Sequence, residues 1–175
     1  MIKDLTKTER EVLDYFVRMP EEIHVRGLSK KIEVPYSSTR SALNGLEEKG
    51  FLESNKESKM TFYYPTEQRF RKAKKVLNLE KLEQSKVSEF LEKELKPEAV
   101  VLFGSYLDGR DRAESDIDIA VIGGREKRLD LTSFEKELGR KIQLTRIEDL
   151  GNENEEFKNT LANGMVLAGY LDVTS

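Results

Sequence analysis

The stretch Leu102-Phe103-Gly104-Ser105-Tyr106-Leu107-Asp108-Gly109-Arg110-Asp111-Arg112-Ala113-Glu114-Ser115-Asp116-Ile117-Asp118-Ile119-Ala120-Val121 decides how the second half of the chain is read. It begins inside the apolar run Ala99-Val100-Val101-Leu102-Phe103, the mark of a strand buried on both faces. It ends in Ile117-Asp118-Ile119-Ala120-Val121-Ile122, a second strand stopped by Gly123-Gly124. Period-2 alternation puts Asp116 and Asp118 on one face, with Ile117 and Ile119 on the other, toward a core. Two adjacent carboxylates repel and call for a cation between them. Mg²⁺ (or Mn²⁺) is the natural candidate, held by carboxylates together with substrate phosphates. Gly104 allows close backbone approach. Ser105 and the N–H groups after it, at a helix start, can hold an anion. Arg110 and Arg112 add positive charge for a triphosphate.

Working outward toward the C-terminus, residues 129–138 predict a helix ended by Gly139, and residues 141–145 a third strand. Residues 155–163 predict another helix, and residues 165–170 are the final apolar stretch. Strands alternating with helices indicate an α/β domain over 97–175. Toward the N-terminus, residues 67–96 form a charged helical segment bounded by Pro97, with Asn78 as an expected interruption. This segment is read as a linker.

The first 66 residues have a different texture. Residues 8–18 predict a helix, with Thr8 and Glu11 spaced as a capping box and Val12, Leu13, Phe16 and Val17 at helical spacing. Pro20 ends it. Ile23-His24-Val25 is extended, and residues 26–34 predict a second helix. After Pro35, Ser37 or Ser38 can cap a third, with Ala42, Leu43 and Leu46 inward and Gly50 as terminator. Residues 51–54 and 60–64 predict two strands joined by a polar turn over 55–59. His24 is read as structural, because a metal site needs several ligands.

The chain has 175 residues, of which 37% are hydrophobic and 36% charged, enough apolar material to exclude wholesale disorder. It has no Cys, which excludes disulfides, Cys-based zinc and a thiol nucleophile. Residues 1–66 balance at 11 basic against 11 acidic, residues 67–97 hold 9 against 6, and residues 98–175 hold 10 against 16. A strongly basic nucleic-acid binder is therefore excluded, but a local basic face is not. No stretch has the apolar length of a membrane span or the apolar start of a signal peptide, so the expectation is a cytoplasmic protein with no membrane partner. Abundant Lys and Glu without Cys or Trp resemble thermophile composition.

Three helices followed by a hairpin resemble the winged helix-turn-helix family over about residues 5–66. The phrase from Ser37 to Leu52 looks like its recognition helix running into the wing. The resemblance implies a double-stranded DNA partner. Ser38, Arg40, Ser41 and Asn44 lie off the apolar face and carry donors suited to phosphates and base edges, and Lys56 and Lys59 flank the wing tip. The same side chains also suit an ordinary solvated face or a protein-docking surface, an alternative that Glu47, Glu48 and the net charge of the segment favour.

Gly104-Ser105 followed by Asp116-Ile117-Asp118 resembles the signature of the DNA polymerase β-like nucleotidyltransferase superfamily, and within it the minimal nucleotidyltransferases, over about residues 98–170. The resemblance implies a mixed sheet with flanking helices and a nucleoside triphosphate ligand. It also implies two divalent metals on the paired aspartates, one activating a hydroxyl and the other gripping the triphosphate. A third carboxylate from a later strand completes that site in the family. Here the matching segment is Lys141-Ile142-Gln143-Leu144-Thr145, and Gln143 stands at the third-carboxylate position. Glu148 and Asp149 lie past the strand.

The fold class is thus two-domain, α+β and α/β: a winged helix over 1–66, a helical linker over 67–96 and a nucleotidyltransferase-like domain over 97–175. Two functions compete. One is a nucleotidyltransferase moving a nucleoside monophosphate from a Mg-nucleoside triphosphate to a hydroxyl. The other is a catalytically inactive DNA-binding transcriptional regulator or antitoxin-like module whose second domain binds a ligand or partner. The minimal-nucleotidyltransferase resemblance also implies a separate helical protein partner, and a homodimer is a further expectation.

Overall fold

A computed structural model of the protein describes residues 2–172. The backbone divides into two compact units, Met1–Lys74 and Lys75–Ser175, whose outermost residues, 1 and 173–175, lie outside the described range.

In the first unit, α1 (Lys7–Arg18) leads to β1 (Ile23–His24), α2 (Val25–Ile32), α3 (Tyr36–Glu48), β2 (Leu52–Glu57) and β3 (Met60–Pro65). Val12, Leu13 and Phe16 of α1, Leu28 of α2 and Leu43 and Leu46 of α3 are fully buried and form the core. The capping box sits two residues earlier than the sequence predicts. Thr6 Oγ1 accepts from the Glu9 N–H at 3.2 Å, and Glu9 Oε2 accepts from the Thr6 N–H at 2.8 Å. Two overlapping Thr-x-x-Glu spacings compete there, and the earlier one lets Glu9 turn inward to an ion pair with Lys49. The start of α3 also differs. Pro35 is its N-cap and no side chain caps it, so Ser37 and Ser38 lie inside the first turn. The buried Thr39 hydroxyl, donating to the carbonyls of Val34 and Pro35, anchors that end instead.

The wing is longer than expected. β2 and β3 pair antiparallel from Leu52↔Pro65 to Glu57↔Met60, so the turn shrinks to Ser58-Lys59, with Ser58 at φ 55. β1 adds a third strand through Ile23↔Tyr63. His24 serves structure: its Nδ1 accepts the Gly27 N–H at 2.8 Å and caps α2.

Next come α4 (Gln68–Ser85) and α5 (Val87–Leu95). The break is at Lys86, in the left-handed region at φ 62, and not at Asn78. Asn78 stays helical because its side chain is buried and bonded, as described below. Residues 75–96 fall in the second unit. There Leu82, Val87, Leu91 and Leu95 join the core of the sheet, so this stretch is more than a connector.

The second unit continues with β4 (Ala99–Phe103), α6 (Gly104–Asp108), β5 (Ile117–Ile122), α7 (Thr132–Leu138), β6 (Ile142–Ile147), a single 3₁₀ turn (Leu150–Asn152), α8 (Glu155–Ala162) and β7 (Met165–Gly169). The sheet order is β6-β5-β4-β7, with β5 and β6 parallel and the other pairs antiparallel. Alternation sorts β5 as the sequence predicts. Ile117, Ile119 and Val121 enter the core beneath α5, whereas Ala120 and Ile122 pack with Val101 and Leu161 on the opposite face. α7 starts three residues later than expected because Asp130 Oδ1 accepts the Thr132 N–H at 3.0 Å and stops the chain short of the helix. Among the described residues no helix is long and apolar enough to cross a membrane.

The location of the first cap is testable. Thr6→Ala should destabilise the protein by about 1 kcal/mol in chemical denaturation. Thr8→Ala should have a clearly smaller effect.

Candidate functional site

The paired aspartates and the Gly-Ser turn are brought together by strand register. Phe103 is paired with Asp118 across β4 and β5, so the chain leaving β4 at Gly104 lies beside the Asp118 side chain. A Cβ on residue 104 would stand 2.2 Å from Asp118 Oδ2, and Gly104 has φ +78. Only glycine satisfies both demands, the conformation and the space. Ser105 is half-buried in the first turn of α6, and its carbonyl accepts the Arg110 N–H at 3.0 Å.

Asp118 is half-buried on the face shared with Ala120 and Ile122. Burial pushes its carboxyl above the usual value of 3.8, and the charge of Asp116 pushes it the same way. A desolvated carboxylate beside a second acidic residue and a glycine cradle fits a divalent cation. On the other side of β5, Gln143 of β6 is in direct register with Asp118, and Ile142 and Leu144 pack on the opposite face. Gln143 is exposed. Asp149 is engaged elsewhere, accepting from the Gly151 N–H at 2.8 Å and from Asn152 Nδ2 at 3.1 Å. Among the described residues, no cluster of three or more His, Cys, Asp or Glu is placed to hold a metal ion.

Gly104 also borders a cleft of about 700 Å³ between α6 and α8, lined by Phe103, Asp108, Arg110, Glu156, Asn159, Thr160 and Asn163 among others. Arg110 therefore joins the site, ion-paired with Asp108. Arg112 is exposed and does not line this cleft. Sequence reading missed the α8 side chains. Asn159, Thr160 and Asn163 share a polar face that in a sequence is indistinguishable from a solvated one.

In the first unit, Arg40 and Lys59 line one concavity of about 560 Å³ with Arg26, Tyr36 and Tyr63. Arg26 and Tyr36 were missed because they belong to a helix start and a post-proline position, outside the recognition-helix phrase. Asn44 is exposed but tied to the wing, accepting from the Tyr63 hydroxyl at 2.7 Å. Ser38 and Ser41 line a different hollow, with Thr6 and Thr8. Lys56 is exposed on β2 opposite Thr61.

Residues 5–117, more than half of the chain, match the family model described as penicillinase repressor. The chain belongs to the penicillinase repressor family. Residues 85–170 match the model described as Polymerase beta, Nucleotidyltransferase. A winged-helix region is thus followed by a nucleotidyltransferase-like one, with the two matches overlapping over 85–117. No curated protein matches. Among solved structures, reduced HlyU from Vibrio cholerae N16961 is 20% identical at a TM-score of 0.36, covering 42% of this chain and 75% of that one. The adhesin competence repressor AdcR from Streptococcus pyogenes is 18% identical at a TM-score of 0.38, covering 52% and 69%.

Two outcomes follow from the geometry. Gly104→Ala should cost about 1–3 kcal/mol in denaturant unfolding, through its backbone conformation alone. The Asp118 carboxyl titrates higher folded than unfolded, so its contribution favours folding below pH 3.8 and is lost as pH rises through the folded value. At pH 7 without metal, Asp118→Asn should therefore melt above wild type, and the gap should close in acid.

Proposed function

We propose that the protein is a DNA-binding regulator whose second unit binds a magnesium–nucleoside triphosphate without efficient nucleotidyl transfer. The observation that carries this reading is the pairing of Asp118 with Gln143 across β5 and β6. Asp116 and Asp118 would hold the metal on the triphosphate side, where it supplies charge neutralisation at the phosphates. Gln143 offers an amide oxygen but no negative charge and no basic site, so the hydroxyl-activating position lacks one of its three anions. On this reading Ser105 and the backbone around Gly104 would hold the phosphates. Arg110, Asn159, Thr160 and Asn163 line the adjoining cleft, which is large enough for a nucleoside.

For the first unit, membership of a repressor family supports double-stranded DNA as partner. Arg26, Arg40 and Lys59 gather positive charge in one hollow beside the wing despite the neutral total, with Tyr36 half exposed beside them. A second reading, an active transferase, is favoured by the intact packing of Asp118 on Gly104.

Calorimetry with Mg²⁺ and a nucleoside triphosphate should show binding to wild type and none to Asp116→Asn. Transfer of label from an α-labelled triphosphate should be weak in wild type, and Gln143→Asp should raise it by about 10²–10⁴-fold. Strong wild-type transfer would establish the second reading. In anisotropy titrations with duplex DNA, Arg40→Ala and Lys59→Ala should each weaken binding and flatten the salt dependence by roughly one phosphate contact. No affinity for duplex at low salt would overturn the DNA assignment.

A further inference from the structure

Behind the metal carboxylates lies a buried polar cluster that the proposed chemistry does not use. Asp111 is 3% exposed, and Asn78, on α4, is 2% exposed. Asn78 Nδ2 donates to Asp111 Oδ1 at 2.9 Å and to the Tyr106 carbonyl at 3.0 Å. The Tyr106 hydroxyl donates back to the Asn78 carbonyl at 3.2 Å. Burial, with the charge of Asp111 adding to it, pushes that hydroxyl up to about 12, so it remains a donor. Arg140, between α7 and β6, donates to Asp111 Oδ2 at 2.7 Å from a side chain that is 7% exposed. Its other terminal nitrogen donates to the Arg112 carbonyl and, at 3.2 Å, to the Ser115 carbonyl. The Ser115 hydroxyl closes the loop by accepting the Arg112 N–H at 2.9 Å.

We propose that Asn78, Asp111 and Arg140 are positioning residues that clamp the loop 109–116 and so present Asp116 beside Asp118. This rests on the metal-site reading above. Asp116 directly follows Ser115, the last residue the clamp holds, and Ile117 is already fixed in the sheet through its N–H to the Lys141 carbonyl at 2.9 Å. Asp116 thus stands between two anchors. It needs them, because its charge acts against that of Asp118. A buried ion pair is a poor device for stability, since apolar replacements often do as well. What it supplies is geometry: the guanidinium holds a carboxylate and two carbonyls with donors fixed in one plane, which a freely rotating ammonium does not. Because Asn78 belongs to α4, the presentation of Asp116 is set from that helix as well as from the strand that carries Asp118.

Amide hydrogen exchange on the metal-free protein tests this, together with nucleoside triphosphate titrations in Mg²⁺ and in EDTA. Arg140→Lys keeps the charge opposite Asp111 but loses the carbonyl fork. Asn78→Ala removes the tie to α4. In both, amides 112–117 should exchange about tenfold faster or more, while those of Val100 and Val121 stay as in wild type. Affinity for the triphosphate should fall in Mg²⁺ and hold in EDTA. Unchanged loop exchange, or a uniform rise across the second unit with a lower Tm, would overturn the proposal. Faster loop exchange in a protein that binds no Mg-triphosphate in any form would leave the clamp standing and refute the metal reading.

Discussion

The ion pair between Arg140 and Asp111 is the interaction on which the second unit's working end depends. It joins four pieces of chain that the sheet alone does not join: α4 through Asn78, α6 through Tyr106, the loop before β5, and the turn before β6. A charge pair this deep inside protein tolerates no loss of either partner, because the survivor would be left desolvated. The loop it holds is polar and irregular, with Arg112, Ala113 and Glu114 exposed, and has little apolar surface with which to fix itself. The sheet supplies the rest of the frame. β5 is covered on both faces, so its register with β4 and β6 is set by packing, and that register places Gly104 and Gln143 on either side of Asp118.

The two units carry charge in opposite ways. In the first, a balanced total conceals a cationic hollow at the wing, where Arg26, Arg40 and Lys59 converge from α2, α3 and the hairpin turn. In the second, an acidic excess surrounds the Asp116–Asp118 pair, which we propose takes a cation and a polyanion. Net charge over a segment says little in either case, because recognition acts over a few ångströms and screening removes the rest.

Much of this was legible in the sequence. The winged-helix order, three of the four strands of the second sheet and the placement of Ile117 and Ile119 against Asp118 follow from periodicity and from glycine and proline punctuation; the fourth strand reads only as an apolar stretch. Alternation fixes the face of Gln143 in its own strand, and the family resemblance places it opposite the aspartates. What was not legible depended on partners distant in sequence. Thr6 prevailed over Thr8 as a cap because Glu9 finds Lys49, forty residues away. Asn78 looked like an interruption because an asparagine inside a helix competes for backbone bonds. Here its side chain is spent on Asp111 and Tyr106, which no local rule could reveal. The polar face of α8 is ambiguous for the same reason, since only the neighbouring Gly104 turn makes it one wall of a cleft.

Positions 118 and 143 differ in what a change there would cost. Gln143 is exposed at the surface of β6, where a carboxylate and an amide are nearly equivalent to the fold, so the residue at 143 is set by use and by little else. Asp118 is half-buried and repelled by its neighbour, and a neutral amide would suit the folded chain better. The fold alone therefore asks for neither residue: it works against the acid at 118 and leaves position 143 free to be either an acid or an amide.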